Sequence, residues 1–199
     1  MELFPMSQAS FKSYIRIGNI IPQHSLTLLT ALPGCGKSYT LLKFLNKHGI
    51  KPLYFNFDED PSLLVFDSFM TSDIEILTNI LEGNYSDILN QTIVVDTYQR
   101  LQELLKIPYT KDGQEDITDK LLQLCKTQSC TVIVVGHPAD FVGKSSIFID
   151  NPALVRNCHE HIHIDRILST KKDSQPEYRT YINKNRGNGG AYTLENWMR

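Results

Sequence analysis

The residue types between Ser25 and Thr40, SLTLLTALPGCGKSYT, suit one kind of chemistry, the holding of a phosphate chain. Gly34 and Gly36 permit positive φ and a close approach of the backbone to an anion. Pro33, Gly34, Cys35, Gly36, Lys37, Ser38 and Tyr39 then form a cradle whose N–H groups wrap a phosphate at the start of a helix. Lys37 supplies a point charge for the β- and γ-phosphates, and the Ser38 hydroxyl helps to hold Mg²⁺. The usual pattern begins with glycine, where this chain has Ala31; alanine fits if its φ is negative.

A loop of this kind licenses only the binding of a nucleoside triphosphate, so the chemistry depends on what else reaches it. Asp58, Glu59 and Asp60 follow an apolar run, and hydrolysis needs one carboxylate to orient and deprotonate water. Glu59 is the expected base, with Asp60-Pro61 as a cap on the next helix. Asp96 ends TIVVD and can hold the Mg²⁺ water shell opposite Ser38. His137 follows TVIVVG, where it can sense the γ-phosphate; the plainer alternative is a strand-end histidine bonded to a carbonyl. Lys184 and Arg186 suit a charge donor to a phosphate transition state, in their own subunit or a neighbour's, or else the tip of a basic hairpin.

These groups need a scaffold that gathers strand ends. Leu26 to Leu29, Leu53 to Phe57, Thr92 to Asp96 and Thr131 to Val135 read as buried strands, and in an open α/β sheet ligands sit at the carboxyl ends of such strands. Helices are expected after the phosphate loop to about Gly49, at Ser62 to Met70, Tyr85 to Leu89, Thr97 to Leu105 and Ile117 to Cys125, with a short strand at Ile74 to Thr78. KIPYTKDGQED reads as an unstructured loop, and Tyr178 to Ile182 as a strand with Lys184 just beyond it. Residues 1–24 form a lead-in packed on the core or an arm for a neighbouring subunit, and residues 25–199 the α/β domain.

Two loops pair an aromatic with a cation, Tyr109 with Lys111 and Phe141 with Lys144, a combination that stacks on bases and touches phosphates in a single strand. Solvated loops would show the same residues. His159, His161 and His163 fall on one face of a strand and invite zinc, but no fourth ligand is in sight and Ile162 and Ile164 alternate with them as in a half-exposed strand. The net charge of −2 excludes a blanket basic surface, so any nucleic-acid contact is local. Four cysteines without an apolar export segment suggest reduced thiols and a cytoplasmic location, and no apolar run approaches the roughly 20 residues that cross a bilayer.

Taken in order, ALPGCGKS, FNFDEDP, TIVVDTYQRL, TVIVVGHPAD and INKNRGNGG resemble the RecA-like ATPase core of RepA- and DnaB-type hexameric replicative helicases, with the RepA-like branch nearest through its Glu-Asp-Pro. The resemblance covers about residues 25 to 190. It implies a P-loop NTPase fold with a mainly parallel twisted sheet flanked by helices and some antiparallel strands near the C-terminus. It also implies ATP and Mg²⁺ as ligands of Lys37 and Ser38, Glu59 as base, Asp96 as the Mg²⁺-associated carboxylate and His137 as sensor. Lys184 and Arg186 would be fingers inserted into the next subunit of a homo-oligomer, a hexameric ring or a filament. Residues 106–116 and 138–148 would face single-stranded DNA. The expectation is a bare motor core acting in replication or recombination. Small phage RecA-like ATPases that assist annealing or recombination have similar motifs, and an ATP-switched assembly module without DNA is a third class.

Overall fold

The computed structural model describes residues 15–64, 66–85, 87–138, 140–141, 144–145, 151–167, 177–185 and 192–194. The chain enters through a two-stranded pair, β1 (Arg16–Ile17) and β2 (Ile21–Pro22), then runs into β3 (Leu26–Ala31) and α1 (Lys37–Lys47). There follow β4 (Leu53–Asn56), a 3₁₀ turn (Pro61–Leu63), β5 (Phe69–Thr71), α2 (Ile74–Leu81), β6 (Thr92–Asp96), α3 (Tyr98–Leu104) and α4 (Lys111–Thr127). Then come β7 (Thr131–Gly136), β8 (Asp140–Phe141), β9 (Lys144–Ser145), α5 (Pro152–Asn157), β10 (Glu160–Ile167), β11 (Glu177–Asn185) and β12 (Tyr192–Leu194).

Eight strands form one sheet in the order β12-β11-β10-β3-β7-β6-β4-β5. The six from β10 to β5 are parallel, while β11 runs antiparallel to both β10 and β12. β7 lies between β3 and β6, and this crossover brings the ends of three strands to the exit of β3. Alternate residues serve two cores, because successive side chains leave opposite faces of a strand. Val132 and Val134 of β7 pack with Tyr98, Leu101, Ile117 and Leu121 of α3 and α4. Ile133 and Val135 pack on the other face with Leu41, Leu42 and Leu45 of α1 and with Ile17, Ile20 and Ile21. A strand buried on both faces reads as a continuous apolar run, which is why TVIVV and TIVV were legible.

Several local expectations fail. In place of a helix over Ser62 to Met70 the chain makes the short 3₁₀ turn and then adds β5 beside β4. Ile74 to Thr78 is the start of α2, not a strand. Asp73 caps it by accepting from the Glu75 N–H, and Leu77, Ile80 and Leu81 are buried at helical spacing. Residues 87–90 form a turn where a helix was expected. Lys111, expected in an unstructured loop, opens α4, because Thr110 accepts from the Gly113 N–H and starts the helix early. β11 extends to Asn185, so Lys184 lies inside the strand and pairs with His161. Among the described residues no helix is long and apolar enough to cross a membrane.

Candidate functional site

The turn between β3 and α1 takes the shape that the glycine spacing demands. Gly34 has φ 74° and Gly36, which precedes the first helical residue, has φ 69°. A Cβ on either would meet nothing within 4 Å, so the left-handed backbone and not crowding selects glycine there. Cys35 turns inward and is buried with Leu41 and Leu42, which pins the middle of the loop to the core. Lys37 and Ser38, the first two residues of α1, are each only 3% exposed, whereas Pro33 and Tyr39 are exposed. Tyr39 stands edge-on to Phe66, with ring centroids 5.0 Å apart.

Asp96 reaches the same place from β6. Its carboxylate is fully buried, and Oδ2 accepts hydrogen bonds from Ser38 Oγ at 2.5 Å and from the Tyr54 hydroxyl. Burial, and then the negative charge of Asp96, push the Tyr54 phenol above its ordinary pKa, so that it stays a donor. Asp96 Oδ1 is buried without a hydrogen-bond partner among the described residues. A buried carboxylate oxygen left in that state is costly unless a cation or its water completes it. The donor set of one carboxylate and one hydroxyl, both oxygen, suits Mg²⁺.

Glu59 sits in the loop after β4, half-buried, and its backbone is fixed by a residue the sequence reading passed over. Asn56 Oδ1 accepts from the Glu59 N–H at 3.0 Å, and Asn56 Nδ2 donates to the Glu59 carbonyl at 2.9 Å. Asn56 is level with Asp96 in the β4–β6 ladder, and the Phe57 N–H bonds the Asp96 carbonyl at 2.7 Å, so the Glu59 loop is tied to the carboxylate's strand. Asp60 caps the 3₁₀ turn by accepting from the Ser62 N–H, which lowers its pKa.

His137, one residue beyond β7, is held in the same manner. Gln99 of α3 accepts from its N–H at 3.2 Å and donates to its carbonyl at 2.8 Å. The imidazole Nε2 lies 3.6 Å from Asp58 Oδ2, while Nδ1 is buried without a hydrogen-bond partner among the described residues. The ends of β3, β4, β6 and β7 thus bring Lys37, Ser38, Glu59, Asp96 and His137 to one edge.

The remaining candidates are elsewhere. Lys184 is level with His161 and, through it, with Leu28, and Asn185 is level with Thr27 by way of Glu160. That is the beginning of β3, opposite to the end from which the phosphate loop leaves. Arg186 lies outside the described residues. Tyr109 is exposed in the turn before α4, and Lys111 is 4.0 Å from Glu115 of its own helix. Phe141 and Lys144 pair in the β8–β9 ladder. His161 and His163 do not lie on a half-exposed strand: both are buried, and Ile162 and Ile164 are buried on the opposite face. Thr30 Oγ1 is 2.9 Å from His161 Nε2 and 2.8 Å from His163 Nδ1, and His163 Nε2 is 2.9 Å from Asp165. His159 Nδ1 accepts from the Leu26 N–H. Among the described residues no group of three or more His, Cys, Asp or Glu side chains could hold a metal ion.

Asn56, Gln99 and Tyr54 are the contributors that sequence reasoning missed. Asn56 carries a faint signal, as an amide placed three residues before the expected base; Gln99 and Tyr54 carry none.

Comparison with known proteins fits this geometry to a fold. No family model matches the chain. It is 28% identical over 154 residues to the DNA repair protein RadA of Helicobacter pylori (strain ATCC 700392 / 26695), a match that covers 68% of this chain and 33% of that protein. The chain therefore spans about a third of the length of that relative. The crystal structure of the RadB recombinase superposes with a TM-score of 0.62 at 15% identity, covering 86% of both chains. The fold is RecA-like, an α/β sheet that is mostly parallel, with antiparallel strands near the C-terminus and helices on both faces. The likeness to RepA- and DnaB-type replicative helicases expected from the motifs is corrected by these findings, which point to RadA and RadB within the RecA-like group. Glu-Asp-Pro is too short to choose a branch.

Proposed function

We propose that this chain is a Mg²⁺-dependent ATPase that acts on single-stranded DNA in recombination or repair. The observation that carries the reading is the Ser38–Asp96 hydrogen bond at the exit of β3, beside the buried Lys37, with one Asp96 oxygen buried without a hydrogen-bond partner among the described residues. The match to a DNA repair protein and the fold shared with a recombinase favour recombination or repair as the setting.

In this reading the loop amides and Lys37 bind the β- and γ-phosphates, and Ser38 and Asp96 hold Mg²⁺ through oxygen. The metal, when bound, neutralises charge that develops on the transferring phosphate. Glu59 accepts a proton from the attacking water, and its backbone is held for this by the Asn56 clamp. His137 reports the γ-phosphate through the β8–β9 segment that follows it, and Phe141, Lys144, Tyr109 and Lys111 meet the DNA strand. The register of β11, which sets Lys184 level with the first half of β3 and away from its own phosphate loop, supports a role for Lys184 in a neighbouring subunit's site; Arg186 is proposed to act with it. Activity then requires a homo-oligomer.

One experiment tests these parts together: ATPase rate against protein concentration, with and without single-stranded DNA. The expected result is a rate per subunit that climbs with concentration and rises further with DNA, and a Glu59→Gln chain that binds ATP but turns over about 10²–10⁴-fold more slowly. Normal turnover in Glu59→Gln would remove the base, and indifference to DNA would favour an ATP-switched assembly module instead.

A further inference from the structure

Two hydroxyls converge on one oxygen of Asp96, and they differ in what else they can do. Ser38 lies in the first turn of α1 against the phosphate loop, so its lone pairs remain available to a cation while its proton goes to Asp96 Oδ2. Tyr54 comes from β4, is fully buried, and its hydroxyl reaches the same oxygen from within the core. A phenylalanine would fill the same space, and a buried phenol is tolerated where its hydroxyl is bonded. With Oδ2 taken from two sides, the carboxylate cannot rotate without breaking both bonds. Oδ1 is the acceptor that remains.

We propose that Tyr54 is a positioning residue for the Mg²⁺ site, acting through Asp96: it locks the carboxylate so that Oδ2 serves Ser38 and Oδ1 is reserved for the cation's hydration shell. This rests on the reading of Asp96 as the Mg²⁺-associated carboxylate. Partners that orient a metal-binding carboxylate set its affinity for the ion without touching it. Tyr54 therefore governs how much Mg²⁺ the nucleotide complex needs, and leaves the loop's hold on the phosphates unchanged.

The test is ADP binding to the full chain, followed by thermal shift across a MgCl₂ titration and again in EDTA. Tyr54→Phe removes one oxygen and keeps the ring, and Ser38 still bonds Asp96, so the fold is expected to be retained. The half-saturating Mg²⁺ concentration should rise about tenfold, with ADP affinity in EDTA unchanged. In an Asp96→Asn background the same substitution should add nothing, since its effect passes through that carboxylate. A wild-type chain that responds to Mg²⁺ and a Tyr54→Phe chain with the same half-saturation would overturn this role alone. Loss of ADP binding in EDTA, or loss of the fold, would make Tyr54 a structural residue and overturn it as well. A wild-type chain indifferent to Mg²⁺ would overturn both this role and the reading on which it rests.

Discussion

Ser38 and Asp96 are buried and joined side chain to side chain, whereas Glu59 and His137, at the same edge of the sheet, are half-buried and held through their backbones. In the first half the functional atoms themselves are immobilised. In the second, Asn56 and Gln99 each clamp a main-chain N–H and C=O and make no bond to the functional side chain. The difference suits the roles proposed for them. Atoms that hold phosphate and cation gain from pre-set geometry, because reorganisation at the moment of reaction would cost rate. A base that takes up a proton and a sensor that changes partner need freedom at χ and fixity only at the backbone.

The largest effect should come from breaking the rigid half. Lys37→Ala removes a cation buried beside the loop and should lower ATP turnover by about 10²–10³-fold, with nucleotide binding lost in parallel. Isothermal titration alongside a phosphate-release assay would show it, and ordinary affinity for ATP would contradict the cradle. An intermediate effect is expected in the half held through its backbone. Asn56→Ala or Gln99→Ala should reduce kcat about tenfold to a hundredfold by letting Glu59 or His137 drift, while ATP affinity stays near wild type. A fall in affinity without a fall in kcat would show that both halves share one rigid frame.

The smallest effect sharpens the comparison between buried acids. Glu160, at the start of β10, is as buried as Asp96 but has a cation of its own, Arg16, at 3.0 Å. Burial outweighs that partner and pushes the Glu160 carboxyl up to about 7 from its ordinary 4.5. The folded chain thus holds this proton more tightly than the unfolded chain does. The contribution to stability is full below about 4.5 and is lost as pH rises through about 7. Urea midpoints of wild type and Glu160→Gln should therefore differ less in favour of wild type at pH 8 than at pH 5, and a difference constant across that range would refute the shift.

Much of the candidate site could be read along the chain because its signals are local. Gly34, Gly36, Lys37 and Ser38 lie within one turn, and the loop's demand for positive φ and a helix start is met by neighbours in sequence. Runs such as TIVVD and TVIVVG announce strands buried on both faces, and their last residues mark the ligand edge. Local signals failed where two periods coexist. Ile74, Ile76 and Thr78 alternate as a strand would, but Leu77, Ile80 and Leu81 also fit a helix, and the Asp73 cap with the core beneath decided for the helix. They failed again where function depends on register. Whether Lys184 approaches its own phosphate loop turns on β11 running antiparallel to β10, a pairing that no residue near Lys184 encodes.

The sequence by itself determined which residues are proposed to bind phosphate and cation, since the necessary backbone freedom and side-chain chemistry belong to short stretches. Tertiary structure alone decided what holds them in place. Tyr54 and Ser38 meet on Asp96 from positions 42 and 58 residues away, and Gln99 reaches His137 across 38. Such contacts arise from the order in which strands lie side by side, and strand order is set by the packing of whole faces, not by any residue's neighbours in the chain.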